Sequence, residues 1–382
     1  MTSTPRRRFL IAAGGAALAL TGSGAVFSVS RTPARALQPW RDAEAPVADG
    51  RLDAFRYAIL APNPHNRQPW LIELIGSDSA IIRCDLKRRL PETDPFDRQI
   101  LIGFGCFLEL ARIAATSRGL RMDIRAFPDG APEVTERLDH RPIAKVHFAR
   151  DSAASVDPYF KDILSRRSAK VPFDLARPIP AQTLYSVGQG GVTTSVAPDL
   201  VSKLRGLTWD AWMIEALTPR THKESVDLMR IGKSEIDANP DGIALGGTIM
   251  EVLALTGQIS RASLADPTSS AFKAGIDKYR LIMATAMGYA WIATPGNSRR
   301  DQLEAGRRYV RMNLAATAAG LSVHPISQAL QEFPEMRSSR EAVKSLLAVP
   351  EGSTLQMLAR LGYAAPEPPA PRWPLDSRIL KT

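Results

Sequence analysis

Residues 56–70 read RYAILAPNPHNRQPW, and they hold the densest group of chemically useful side chains in the chain. Pro62, Asn63, Pro64, His65 and Asn66 set two amides and an imidazole between prolines, directly behind an apolar run. Proline removes a backbone donor and restricts the residue before it, so a helix entering this segment stops at Pro62 and Pro64. A stiff turn this rich in donors and acceptors suits contact with a flat, polar ligand. His65 in such a turn is more often structural than a general acid, and Gln68-Pro69-Trp70 also reads as a strand entry with a core indole. No catalytic acid or base can be singled out. Cys84 and Cys106 are the only cysteines, which leaves no four-ligand zinc site and points to two buried thiols. GFGCFLE (103–109) has the glycines of a nucleotide loop but sits inside a helical pattern, not between strand and helix, so it is no dinucleotide fingerprint.

The elements that must position these residues follow from periodicity and punctuation. A helix is expected from Gly50 to Leu60. PWLIELIG and SAIIRCDL alternate and pair as strands, turning at Gly76-Ser77-Asp78. A long helix follows, capped by Thr93 or Asp94 with Pro95 in its first turn, and ended by Gly119. MDIRAFPD and IAKVHFAR supply further strands. A helix-rich section begins near Pro158, with a helix from Pro198 to about Leu217, an apolar helix around Tyr279–Trp291, and a closing strand, TLQMLARLGY. AATSRGL (114–120) and AATAAGL (315–321) both end long helices and both lead into strands, an echo that fits a duplicated unit.

The chain has 382 residues, 45% hydrophobic and 23% charged, and a formal charge of +10. Residues 1–36 hold Arg6, Arg7, Arg8, Arg31 and Arg35 and no acid, so half of that excess lies there. The rest is spread thinly, with no basic stripe interleaved with aromatics, and nucleic acid is not an expected partner. LKRRL (86–90) reads as a solvated turn. The first 36 residues carry a basic start, a Gly/Ala-rich apolar stretch and TPARA, which reads as an export signal ending at Ala36. Arg6-Arg7 followed by Phe9-Leu10 resembles the twin-arginine pattern, a route known for folded proteins with cofactors aboard, and so a periplasmic location is expected. Residues 37–50 read as a polar linker.

LAPNPHNRQPW, SRRSAK, AATAAGLSVHPIS and RLGYAAPEPPAPR resemble, in that order, motifs of the FMN-dependent nitroreductase family, and most of all its exported or single-chain Acg-type branch. The resemblance spans about residues 50–378. It implies an α+β nitroreductase-like fold built as a fused pseudo-dimer, with a first half over 37–158 and a second over 159–382. The site motifs occur once each, so one complete FMN site and one degenerate site are expected. By resemblance, Arg166, Ser168 and Lys170 gather the phosphate and ribityl end, and Arg372 also reaches the phosphate, a task that suits forked guanidinium donors. Pro62, Asn63, Pro64, His65 and Asn66 would lie along the pyrimidine and ribityl edge. Pro325, Ile326 and Ser327 would cover the ring near its reactive nitrogen, where a backbone N–H or hydroxyl tunes the reduced cofactor. Where the family motif has small hydroxyl residues, this chain has Asn63, Pro64 and His65.

The activity so implied is ping-pong electron transfer through flavin N5 to a small nitroaromatic- or quinone-like acceptor. Soluble nicotinamide is not expected outside the cytoplasm, which calls for a membrane or periplasmic electron donor. The alternative is an FMN-sequestering protein without turnover, its flavin covered by an insertion over 217–272 acting as a lid. A monomeric pseudo-dimer without a bound metal completes the expectation.

Overall fold

The structure is a computed structural model that describes residues 30–45, 47–151, 153 and 155–381. The expected export signal lies outside the described residues up to position 29. In the first half, α1 (Ala34–Asp42) and α2 (Gly50–Ala58) lead to the hairpin β1 (Trp70–Ile75) and β2 (Ser79–Cys84). The long helix α3 (Arg98–Thr116) follows, and then β3 (Leu120–Ala126) and β4 (Ala144–Arg150). The second half opens with α4 (Ala181–Val187) and β5 (Thr193–Ser195). It passes through α5 (Pro198–Leu217), α6 (Pro219–Asp227), β6 (Met229–Ile231), α7 (Gly232–Ala238) and β7 (Ile243–Leu245). After these come α8 (Thr248–Leu255), α9 (Arg261–Ala265) and α10 (Ser270–Ala284). The chain then forms β8 (Gly288–Thr294), α11 (Arg299–Ala318), β9 (Ser322–Pro325), α12 (Arg337–Leu346) and β10 (Thr354–Gly362).

Two four-stranded sheets have the same plan. The first has strand order β1-β2-β4-β3 and the second β5-β8-β10-β9, and every neighbouring pair in both is antiparallel. In each, a long helix enters after the second strand and delivers the chain to the far edge. The two long helices, α3 and α11, cross at Gly105 and Gly306. A Cβ on either glycine would overlap a carbonyl oxygen of the other helix, that of Leu303 for Gly105 and that of Ile102 for Gly306. Each glycine of the pair thus faces its counterpart, which is the reciprocity of a two-fold interface. Only glycine allows backbones so close.

The same spacing of 201 positions that separates the glycines separates the helix-ending echo (114–120 and 315–321) and the pair Arg98 and Arg299. Both arginines are buried and both brace the opposite half. Arg98 donates to Gln356 O and Leu330 O, and Arg299 to Phe96 O, Glu133 O and Glu136 O. Gly119 and Gly320 end the helices at φ +62° and +66°, the left-handed geometry that glycine adopts freely.

Several expectations need correction. Residues 37–50 are not a polar linker, because α1 runs to Asp42 and buries Ala36, Pro39 and Trp40. The expected signal boundary at Ala36 therefore falls inside a packed helix. The long helix begins later than expected, at Arg98, with Asp97 in the N-cap position at φ 57°. Asp94 still caps it, at a distance, through the backbone N–H groups of Gln99 and Ile100. Tyr279–Trp291 is not one helix. The chain leaves α10 at Ala284 and becomes β8, because the alternating GYAWIAT pairs with β5 and β10 on its two sides. LKRRL is only partly solvated, since Arg88 donates to Asp241 at 2.5 Å. Cys84 and Cys106 are buried free thiols as expected, and burial pushes both thiols up.

Candidate functional site

The 62–68 turn is held open by its own amides. Asn63 accepts the Gln68 N–H at 2.7 Å through Oδ1 and donates to Ala61 O through Nδ2. His65, Asn66 and Gln68 take φ values of 44°, 51° and 50°. Three non-glycine residues in the left-handed region within four positions store strain that the surroundings must hold in place. The C-terminal tail supplies that hold. Gln68, fully buried, accepts from Trp373 N at 2.9 Å, while Asn66 accepts from Arg372 Nη1 at 2.6 Å and donates to Pro371 O. Trp70 is a core indole stacked on Phe107 at 5.0 Å.

Arg166 and Arg372, more than 200 positions apart in the chain, converge on one backbone oxygen. Arg166 Nη2 and Arg372 Nη2 each lie 3.0 Å from Leu60 O. Both are 2% exposed, and among the described residues neither meets a carboxylate. Burial depresses the guanidinium of Arg372 to about 9, with Arg166 and Arg167 adding repulsion, and burial first, with Arg167 adding to it and Tyr309 and Cys106 opposing, brings Arg166 to about 10. Arg167 and Arg372 both lie over the Trp40 ring, at 4.7 and 5.7 Å. Arg166 Nε and Nη1 and Arg372 Nε are buried with no hydrogen-bond partner. Buried cations of one sign with donors to spare are costly unless an anion completes them. A phosphate fits this donor set in charge and in forked geometry.

The stretch 166–170 lies outside any helix or strand, with Arg166 buried, Ser168 half-buried and Lys170 exposed. It is pinned by Ala169 N–H to Val323 O and by Arg360, which donates to Ala169 O and Val171 O. Lys170 keeps exposed surface, yet the surrounding fold partly desolvates its ammonium. Burial and then Lys278 lower its ammonium pKa, with Glu215 opposing. Beyond Lys170, Glu215 on α5 lies 3.8 Å from His65 Nε2 and accepts from Gln331 Nε2 at 2.7 Å. The insertion between β5 and β8 reaches the turn a second time, where Gln68 Nε2 donates to Pro240 O and Gly242 N to Asn66 O. Next to that contact, Asp241 joins Arg88, Arg230 and Arg67 at 2.5, 2.8 and 3.6 Å.

Hydrogen bonds bring Arg166, Arg372 and the turn, through Leu60 and Asn66, together at the seam of the two halves, and Glu215 stands beside His65. Two details differ from expectation. The Asn63 and Asn66 amides are committed to the turn and to Arg372, so His65 Nδ1, which is buried and unpartnered, is the turn's unmet side-chain donor or acceptor. The Ile326 N–H already donates to Leu358 O at 2.8 Å and cannot serve a ligand, which leaves Ser327, at the end of β9 after Pro325. Sequence reasoning missed Trp40, Glu215, Gln331 and Arg360. No local signal marks them, because each joins the cleft through tertiary contacts. Among the described residues no group of three acidic, histidine or cysteine side chains is arranged for a metal.

Two sheets of identical plan around a glycine crossing, with two buried guanidiniums and, among the described residues, no carboxylate partner at the seam of the halves, define an α+β protein of duplicated architecture. No family model matches the chain. It is 25% identical over 339 residues to the Mycobacterium tuberculosis protein named "Putative NAD(P)H nitroreductase acg", covering 85% of this chain and 93% of that one. It is 26% identical over 345 residues to an uncharacterized protein of the same organism, Rv3127, covering 85% and 91%. Among solved structures, the FMN-dependent nitroreductase NfnB of Mycobacterium smegmatis aligns with a TM-score of 0.35 at 17% identity, covering 58% of this chain and 96% of that one. A structure described as a "putative nitroreductase" from Anabaena variabilis aligns with a TM-score of 0.44 at 10% identity, covering 86% and 91%. Structural likeness of that order is too slight to argue from.

Proposed function

We propose that this chain is an FMN-dependent oxidoreductase of nitroreductase type, with one cofactor site at the seam of its two halves. The observation that carries the reading is the pair of buried, carboxylate-free guanidiniums of Arg166 and Arg372 sharing the Leu60 carbonyl with donors unfilled. The relatives that align over most of the chain support it, because their names place them among nitroreductases.

FMN, when bound, supplies the electron chemistry, taking two electrons from a donor and passing them to a nitroaromatic- or quinone-like acceptor. The protein's part is to hold and surround it. Arg166 and Arg372 bind the phosphate, with Asn66 and Trp40 orienting Arg372. Ser168 and Lys170, two and four positions further on, would reach toward the ribityl chain and ring. The strained turn at Pro62–Asn66 and the segment Pro325–Ser327 close the ring end. There the Ser327 hydroxyl, and not the Ile326 N–H, is the donor left for the reduced ring. The insertion, through Glu215 and Pro240, limits water at that end. In the same reading the protein is exported by the twin-arginine route, works as a monomeric pseudo-dimer, and receives electrons from a membrane or periplasmic donor.

The test is the absorbance spectrum of the purified protein, followed by dithionite titration and then turnover with a reduced donor and a quinone or nitroaromatic acceptor. Yellow protein that bleaches with donor and recolours with acceptor is expected. Colourless protein that takes up no added FMN would overturn the cofactor site. Yellow protein inert to every donor and acceptor would overturn the catalytic part.

A further inference from the structure

The insertion carries a feature that the cleft does not use. On α8, Ile249, Val252 and Leu255 are 74%, 45% and 70% exposed. Their spacing of three places them on one face. The helix is anchored along one edge of that stripe by Glu251, whose buried carboxylate accepts the backbone N–H of Lys233 on α7. From Gly242 to Ser260 the chain holds no charge other than Glu251, so nothing polar offsets the outward apolar stripe. Clustered exposed apolar side chains of this kind mark a contact surface.

The start of the described chain is tied to the same place. Ser30 O accepts from Lys233 Nζ at 2.9 Å, and it is preceded by the uncharged stretch Leu10–Val29. That stretch has the length and composition to enter a bilayer. The expected cleavage position cannot be reached by a peptidase that needs extended chain. Ala36 is 1% exposed inside α1, its N–H donates to Asp237 Oδ1 at 2.9 Å, and its carbonyl accepts from Arg372 N at 2.8 Å. Ser30 is thus held next to the residue that also secures Glu251 of α8.

We propose that the α8 face seats on a lipid bilayer, with the apolar N-terminal stretch as the second anchor. This rests on the export reading above. Three side chains are too few to hold a protein on a membrane alone, and stable attachment takes two such signals acting together. The β6–β7 unit that leads into α8 also hydrogen-bonds the 62–68 turn, so a seated protein carries its cleft next to the bilayer. That placement fits a lipid-soluble reductant, a quinol, as electron donor.

The test is flotation of the full chain with phosphatidylethanolamine–phosphatidylglycerol vesicles, comparing the natural protein with the triple variant Ile249→Ser, Val252→Ser, Leu255→Ser. The natural chain is expected in the vesicle layer, and the variant's partition should fall roughly tenfold or more as the buried apolar area is lost. Circular dichroism and flavin absorbance should match between the two, since all three side chains are exposed. A natural chain that stays in the aqueous layer, or a variant that floats equally well, would overturn the proposal. So would a variant that changes from dimer to monomer by light scattering with flotation unchanged, because the face would then serve a second copy. Colour is read separately, so colourless protein that floats would overturn the flavin reading and leave this one standing.

Discussion

Replacing Arg166 by Met should move stability and cofactor affinity in opposite directions. The side chain is buried, and its guanidinium is pushed down to about 10 by desolvation. Keeping it charged at pH 7 costs the folded protein on the order of 3 kcal/mol. The sign follows from linkage: a base whose folded pKa lies below its unfolded value burdens the fold at every pH below both, and the burden lifts only as pH rises through about 10. Against this, Arg166 gives the protein one hydrogen bond, to Leu60 O at 3.0 Å, worth about 1–2 kcal/mol. Methionine fills much of the volume without the charge, so the cofactor-free variant should melt a few degrees above the natural protein, on the order of 1–2 kcal/mol more stable. FMN binding should go the other way. Nε and Nη1, both unpartnered, are the donors left for the phosphate. Losing two charge-assisted bonds of about 1.5–3 kcal/mol each, partly offset by rearrangement, should raise the dissociation constant at least ~100-fold. Differential scanning fluorimetry without and with FMN, and flavin fluorescence titration, read both quantities. A variant that melts lower without cofactor and binds FMN as tightly as before would refute the reasoning and make Arg166 a structural cation.

Four further outcomes follow from the geometry. Gly306→Ala puts a methyl group into the Ile102 carbonyl at the helix crossing, and should cost 3 kcal/mol or more or leave no soluble protein, as thermal melting will show. Trp40→Ala removes the ring beneath Arg167 and Arg372 and the bond from Nε1 to Ala370 O. It should destabilise by about 3–5 kcal/mol in chemical denaturation and also weaken FMN binding. Asp241→Asn takes the carboxylate from three arginines. Burial raises its pKa, but Arg230, Arg88 and Arg67 together hold it below the usual range, so its contribution is present above the ordinary Asp value and fails only in stronger acid. At neutral pH the variant should be cut faster by protease within residues 229–245, whereas an unchanged digestion rate would show that the contact does not secure the insertion. His324 is held well below its usual pKa by burial first and then by Arg360 and Lys170, and it accepts from Arg360 Nε at 2.9 Å. It stays neutral when folded, so stability should fall as pH drops below the unfolded value of about 6.5, by up to roughly 1.4 kcal/mol per pH unit. His324→Gln should flatten the dependence of melting temperature on pH between 7 and 5.

Local pattern carried much of the first half in the sequence. The alternation in WLIELI and SAIIRC, the prolines behind Leu60 and the glycine after Thr116 are short-range signals, and β1, β2 and α3 lie close to where those signals put them. The helix-ending echo was legible too, but seven residues could have matched by chance. Its meaning came from the glycine crossing and the two arginine braces at the same spacing, which are contacts between distant segments. Where local pattern misled, a partner was missing from view. GYAWIAT follows a helical run and becomes a strand only because β5 and β10 flank it, and ALQPWRD looks like linker until Trp40 finds Arg167 and Arg372.

The candidate site divides in the same way. Residue type and order brought out the 62–66 turn, because stiffness and amide content are properties of the residues themselves, whereas the 166–170 motif and Arg372 came only from the resemblance to a known family. Tertiary structure decided which of their groups are available to a ligand. Asn63 and Asn66 lost their amides to the turn and to Arg372, Ile326 lost its N–H to Leu358, and Arg166 and Arg372 kept donors unfilled. Sequence fixes what a side chain can offer; only packing decides whether a neighbour has already taken it, and the groups left over, with their charge uncompensated, are the ones that define the site.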